Sequence, residues 1–198
     1  MPDSKLNERA HAPYGAKDDM RYTYADYASW DDDKRWELID GVPYAMSAPN
    51  VAHQSICMEL SAQLSIFLRG KPCRVFASPF DVRLNADSAD DIVVKPDIVV
   101  ICDSTKIRDG KSCQGAPDLV IEILSPSTAR FDRFLKLNRY LAAGVREYWI
   151  VDPDTRLIET YILEGGKYSV ERYSEEDDLS VHVLPGLVID LGDVFTDV

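Results

Sequence analysis

The strand around Glu122 constrains this chain more than any other stretch. Residues 117 to 128 read Pro-Asp-Leu-Val-Ile-Glu-Ile-Leu-Ser-Pro-Ser-Thr. Apart from Glu122, every residue from Leu119 to Leu124 is aliphatic, and Pro-Asp and Ser-Pro bound the run. That pattern predicts a short strand covered on both faces, in the middle of a sheet. An ionised carboxylate in such a strand is costly unless a metal, a cation or a proton compensates it. A shorter run, Lys95-Pro96-Asp97-Ile98-Val99-Val100-Ile101, also enters an aliphatic strand through Pro-Asp. Two neighbouring buried strands then each carry a carboxylate. A basic helix predicted over Ala129–Ala143 follows the second, and two carboxylates with a nearby Lys suit divalent-metal hydrolysis.

The remaining features narrow the class. At 198 residues the chain has the length of one domain with a full core. The expected layout is a polar, disordered tail over 1–20 and a single domain over 21–198. No apolar run is long enough for a membrane span, and the first residues lack the apolar segment of a signal peptide, so a soluble, cytoplasmic protein is expected. Cys57, Cys73, Cys102 and Cys113 are widely spaced without a CxxC. Neither a disulfide framework nor a structural zinc site is expected, and most of these thiols should be reduced. The formal net charge of −12 argues against broad nucleic-acid binding through bulk charge. Residues 106 to 146 nevertheless hold eight basic and four acidic side chains, a local excess compatible with a phosphodiester substrate.

Along the chain, Thr23 and Asp26 mark the start of a short helix over Tyr24–Trp30. Asp31-Asp32-Asp33 reads as a solvated turn. Trp36 to Ile39 and Val42 to Met46 flank Asp40-Gly41, a tight-hairpin signature. Asn50 can cap a helix that Gly70 ends, with Ile56, Leu60, Leu64 and Phe67 as its core stripe. His53 and Glu59 on that helix have two readings, surface residues or accessories to a metal cluster. Strands follow over Cys73–Ala77 and Phe80–Leu84, then at Asp97–Ile101 and around Glu122. Ser127 or Thr128 caps the basic helix, and Gly144 stops it. Arg146 to Val151 is the next strand, completing a strand–helix–strand unit. Leu157–Leu163 and Lys167–Tyr173 make a C-terminal hairpin. Tyr148, Trp149 and Tyr161 are expected as exposed aromatics that could mark a homodimer surface.

The chemistry follows from residue type. Mg²⁺ prefers hard oxygen ligands and keeps several waters, so two carboxylates and one carbonyl can hold it. Asp97, Glu122 and the Ile123 backbone carbonyl supply that set. Lys136 would orient the attacking water or stabilise developing negative charge. Its other reading is an ordinary i,i+4 ion pair with Asp132. Asp97 can equally be a strand-start residue, and Asp118 reads as an entry-turn residue.

The segments WELIDG (36–41), KPDIVV (95–100), PDLVIEILSPST (117–128), the Asp132/Lys136 pair and GVREYWIVDP (144–153) together resemble the Uma2 family, also called DUF820. The likeness runs over roughly residues 20–190. It implies an α/β, restriction-endonuclease-like core of the PD-(D/E)xK superfamily: a mixed β-sheet flanked by helices, here with additional N-terminal and C-terminal β-hairpins. The implied activity is a Mg²⁺-dependent DNA endonuclease, with Mn²⁺ as a possible substitute, hydrolysing phosphodiester bonds by metal-activated water. Asp97 matches the Asp of the motif and Glu122 its acidic residue. The motif Lys would fall at 124, where this chain has Leu124; Lys136 resembles the migrated Lys of some branches. Catalysis would rest on Asp97, Glu122 and Lys136, and metal binding on Asp97, Glu122 and the Ile123 carbonyl. The competing readings are a non-catalytic nucleic-acid-binding or assembly module on the same fold, and a metal-independent glycosidase.

Overall fold

The computed structural model describes residues 20–32, 34–125, 131–196 and 198. Short helix α1 spans Tyr24–Tyr27 and begins at a capping box between Thr23 and Asp26. It is shorter than the segment to Trp30 expected from sequence. Strands β1 (Trp36–Ile39) and β2 (Val42–Ala45) pair antiparallel. Asp40 and Gly41 both have positive φ, as the two-residue hairpin turn requires. A Cβ on Gly41 would lie 2.9 Å from that of Arg21, so the incoming chain also demands glycine there.

Helix α2 (Val51–Leu68) is capped by the Asn50 side chain, which accepts from the His53 amide at 2.8 Å. Strands β3 (Arg74–Ala77), β4 (Asp81–Arg83), β5 (Val93–Val94), β6 (Ile98–Ile101), β7 (Ser112–Gln114) and β8 (Leu119–Ile123) follow. The basic helix is not uniformly α-helical. Phe131–Lys136 forms π-helical turns that run into α3 (Leu137–Ala143), which ends at a left-handed Gly144. The predicted caps Ser127 and Thr128, and the helix start at Ala129, lie outside the described residues. The chain continues through β9 (Glu147–Asp152), β10 (Leu157–Glu164), β11 (Lys167–Ser174), β12 (Asp178–Ser180), β13 (Val188–Asp190) and α4 (Leu191–Phe195).

One mixed sheet has the order β11-β10-β9-β8-β6-β3, and a second has β2-β1-β5-β4-β7. In the first, β8 and β9 run parallel across the helical crossover, while the other neighbours are antiparallel. Strand alternation splits the first sheet's side chains between two cores. Ile98, Val100, Leu119, Ile121, Trp149 and Val151 pack with Ile56, Leu60 and Leu64 of α2. Val99, Ile101, Val120, Tyr148 and Ile150 face Tyr140 of α3 and Ile39, Val82 and Val94 of the second sheet. Full burial of each large aliphatic side chain contributes about 1.5–3 kcal/mol. The fold is thus a mixed α/β core with hairpins β1–β2 and β10–β11, as the sequence implies.

Two expectations are corrected. Cys73 and Cys102 form a disulfide, while Cys57 and Cys113 are free and buried. Spacing hid this pair because pairing comes from register: β3 pairs with β6 from Arg74↔Ile101 to Ala77↔Ile98, so the next position brings Cys73 opposite Cys102. The expected exposed aromatics are also corrected: Tyr148 and Trp149 are fully buried on opposite faces of the central strand β9, and Tyr161 is half-buried. Among the described residues, no helix is long and apolar enough to cross a membrane.

Candidate active site

The β6–β8 ladder pairs Ile98 with Ile121. One step further in the same register sets Asp97 opposite Glu122, just where the two strands part. Asp97 closes the gap with its side chain: Oδ2 accepts from the Ile123 amide at 2.8 Å. The same oxygen lies 3.1 Å from Nε2 of His53, in the first turn of α2. Backbone N–H and C=O of one strand residue leave by the same edge. The Ile123 carbonyl therefore also faces the opened edge beside Asp97.

Glu122 leaves the same face of the sheet and points into the layer under α3. Its Oε1 accepts from Lys136 Nζ at 3.0 Å and from the Tyr140 hydroxyl at 2.6 Å. Lys136 Nζ also lies 2.9 Å from Glu37 Oε1 and 3.4 Å from Asp132 Oδ1. The i,i+4 pair with Asp132 exists, but it is one part of a four-residue cage. Each member of that cage is 4% exposed or less. The wide π-helical turn and the α-turn after it aim Asp132, Lys136 and Tyr140 at one strand position. Such turns recur where a helix must present side chains irregularly.

Burial sets the electrostatics. It pushes the Glu122 carboxyl well above the usual range; Lys136 opposes this, and Asp132, Asp97 and Glu37 reinforce it. Burial alone would weaken the Lys136 ammonium, but Glu122, Glu37 and Asp132 outweigh it and hold the group charged. The Tyr140 hydroxyl is held neutral by burial and by the adjoining Glu122 carboxylate.

Glu37 is one of the residues that sequence reading missed. It sits in β1, where all four residues are buried. Its Oε1 also accepts the Lys95 amide at 2.7 Å. The signal was the one that exposed Glu122, a Glu inside an apolar strand, but the hairpin turn beside it explained the segment without it. Lys95, also missed, is 7% exposed and contacts Asp81 and Tyr27 through its ammonium. Tyr140 was concealed within the helix pattern.

Asp97, Glu122, Ile123, Lys136 and His53 all line one cavity of about 380 Å³, together with Glu37, Lys95 and Asp132. Glu59 does not join them: it accepts from Gln63 at 2.9 Å and lines a separate groove beside Asp193. The orientation of α2 decides this, since His53 lies on its inner face and Glu59 does not. Asp118 is a pin rather than a site residue. It accepts from the Cys102 amide at 2.7 Å and from Arg146 at 3.0 Å.

Among the described residues, no three His, Cys, Asp or Glu side chains are arranged as a ready metal cage. The donor set is narrower but chemically apt. Asp97 Oδ1 and Glu122 Oε2 take no hydrogen bond from described residues, whereas their partner oxygens do. Two carboxylate oxygens and a carbonyl suit a hard cation that retains waters.

The Uma2 family, described as "Putative restriction endonuclease", matches residues 24–192. The chain is 30% identical over 162 residues to the uncharacterized protein slr1290 of Synechocystis sp. (strain ATCC 27184 / PCC 6803 / Kazusa), covering 79% of this chain and 82% of that one. It is 26% identical over 133 residues to sll1609 of the same strain, covering 66% and 73%. The fold is similar to the crystal structure of "a putative nuclease belonging to DUF820" from Anabaena variabilis ATCC 29413. The TM-score is 0.72 at 20% identity, over 88% of this chain and 98% of that one. With the family match running from α1 into α4, the chain belongs to the Uma2 family.

Proposed function

We propose that this protein is a Mg²⁺-dependent endonuclease that hydrolyses phosphodiester bonds in DNA. The observation that carries this reading is the placement of the Lys136 ammonium 3.0 Å from Glu122, inside a cavity that Asp97 also lines. Asp97, Glu122 and the Ile123 carbonyl would hold Mg²⁺, or Mn²⁺ in its place. When bound, the ion would lower the pKa of a water and neutralise charge at phosphorus.

The chain's own groups divide the remaining work. The Ile123 amide fixes the Asp97 carboxylate from one side and His53 from the other. Tyr140 and Lys136 both hold Glu122 through Oε1 and leave Oε2 available. Glu37 and Asp132 hold Lys136 and keep it charged. To touch a phosphate oxygen, Lys136 must release one carboxylate, and Asp132 at 3.4 Å is the longest contact. A preorganised ammonium in a buried site stabilises developing negative charge far better than one in water.

A second reading has its own observation. Leu124 stands where the motif Lys would be, and three carboxylates already surround Lys136. That arrangement also suits a non-catalytic nucleic-acid-binding module. Nicking of supercoiled plasmid in Mg²⁺ and Mn²⁺ separates the two. The nuclease reading expects Asp97→Ala, Glu122→Ala and Lys136→Ala each to lose about 100-fold or more while remaining folded. Wild-type protein that binds DNA and never nicks it would favour the binding module. Unchanged nicking in the variants would move the chemistry to another site.

A further inference from the structure

The cavity's walls differ from its floor. The floor is the charged cage, and Glu37, Glu122, Asp132 and Lys136 are each 4% exposed or less. A phosphodiester on the outside of a stacked duplex reaches groups at a protein's surface. The bases of an unpaired strand, by contrast, can be splayed out of the stack into a recess. The volume, about 380 Å³, lies at the low end of the roughly 300–1,000 Å³ typical of small-ligand clefts. That is about the room of a single nucleotide.

One wall is suited to a base. Tyr44 pairs directly with Glu37 in the β1–β2 register, so their side chains leave the same face of the hairpin. The half-buried Tyr44 ring thus stands beside the carboxylate floor, and Met46 and Met58 extend the apolar lining. Met58 is 67% exposed on the first half of α2. Aromatic and thioether surfaces accept any base through its π-face.

Another part of the described lining carries a cation. Arg35 is exposed, lines the same cavity and adjoins β1. The other Lys side chains among the described lining residues are committed, Lys136 to its cage and Lys95 to Asp81 and Tyr27. Many of the arginines elsewhere are paired too, as in Arg83 with Asp90, Arg133 with Glu159 and Arg146 with Asp118. No ion pair among the described residues engages Arg35. On a chain of net charge −12, an uncommitted guanidinium beside a carboxylate floor supplies local attraction for a phosphate.

From the buried floor, the Tyr44 wall and the free Arg35, we infer that the site takes single-stranded or locally unpaired DNA. One base lodges against Tyr44, and Arg35 holds a neighbouring phosphate. This rests on the nuclease reading for its chemistry, but its binding claim can be tested separately.

The test is fluorescence anisotropy in Ca²⁺, comparing a labelled single-stranded 12-mer with the same sequence as a blunt duplex. The single strand should bind at least about ten-fold tighter, as one stacked base provides. Arg35→Ala should weaken binding and flatten the log–log salt dependence by about 0.7, the loss of one single-strand phosphate contact. Tyr44→Ala should weaken binding about ten-fold with the salt slope unchanged, and Tyr44→Phe should restore it. Thermal melting confirms that the variants are folded, and the salt slope of Arg35→Ala, at an exposed position, keeps the test decisive should Tyr44→Ala unfold. Equal or tighter duplex binding, no binding of either DNA, or folded alanine variants that bind like wild type would overturn the inference. Cleavage of the same oligonucleotides in Mg²⁺ separates the two ideas. A preserved single-strand preference without cleavage sinks the nuclease reading alone; duplex cut as fast as single strand sinks this inference alone.

Discussion

Lys136 is one cation among Glu37, Glu122 and Asp132, and stability at this position is tied to pH. Removing one partner of a buried ion pair leaves uncompensated charge and costs about 3–5 kcal/mol. Lys136→Met keeps the volume and deletes the charge. Burial already raises Glu122 above the 4.5 of a free glutamate, and Lys136 is the group that opposes the rise. In the variant the folded state therefore holds a proton that the unfolded state releases near pH 4.5. Stability should fall as pH rises from there through the raised folded value. Urea unfolding at pH 5 and pH 8 should find the variant much weaker at pH 8 and partly recovered at pH 5; an equal loss at both would contradict the cage electrostatics. The free thiols offer a second check at this scale. Burial, and Asp97 secondarily, pushes Cys57 up to about 11. Burial pushes Cys113 up to about 12, with Lys106 opposing. Since the thiolate is the reactive form, neither should react with iodoacetamide at pH 8 until the protein is unfolded, which mass spectrometry would detect.

Pairing between elements accounts for what single residues do not. The hairpin of β1 and β2 was legible because Asp-Gly demands positive φ. Helix α2 was legible because Ile56, Leu60 and Leu64 recur at helical spacing, and all three are fully buried. The disulfide was not legible, because it depends on β3 meeting β6 in a particular register. It closes a loop with a sequence separation of 29. Reduction should lower unfolding stability by about 2–4 kcal/mol, measured as a shift in urea midpoint with and without dithiothreitol. A Cys73→Ser/Cys102→Ser double variant should reproduce the shift and abolish the response to reductant. No shift would mean that the bond adds nothing beyond the strand pairing. The π-helical turns before α3 were equally hidden: the residue pattern of Phe131–Ala143 suits a plain α-helix and carries no mark of the wider winding.

At the scale of the molecule, Asp97 and Glu122 come from strands that the sequence marks individually, and register sets them opposite each other. The sequence alone determined that the runs after Asp97 and around Glu122 are strands, that Glu122 needed a partner, and that Lys136 was a candidate for it; β5 and β7 were not marked by it. Local composition carries that information, since a charge in an aliphatic strand is costly wherever the strand lies. The tertiary structure decided which partners answer. Glu37 arrives from a hairpin 85 residues before Glu122, His53 turns inward on α2 while Glu59 does not, and Cys73 meets Cys102. Each of these depends on how sheets and helices are placed against one another, and strand register and helix facing are long-range packing outcomes that no local spacing encodes.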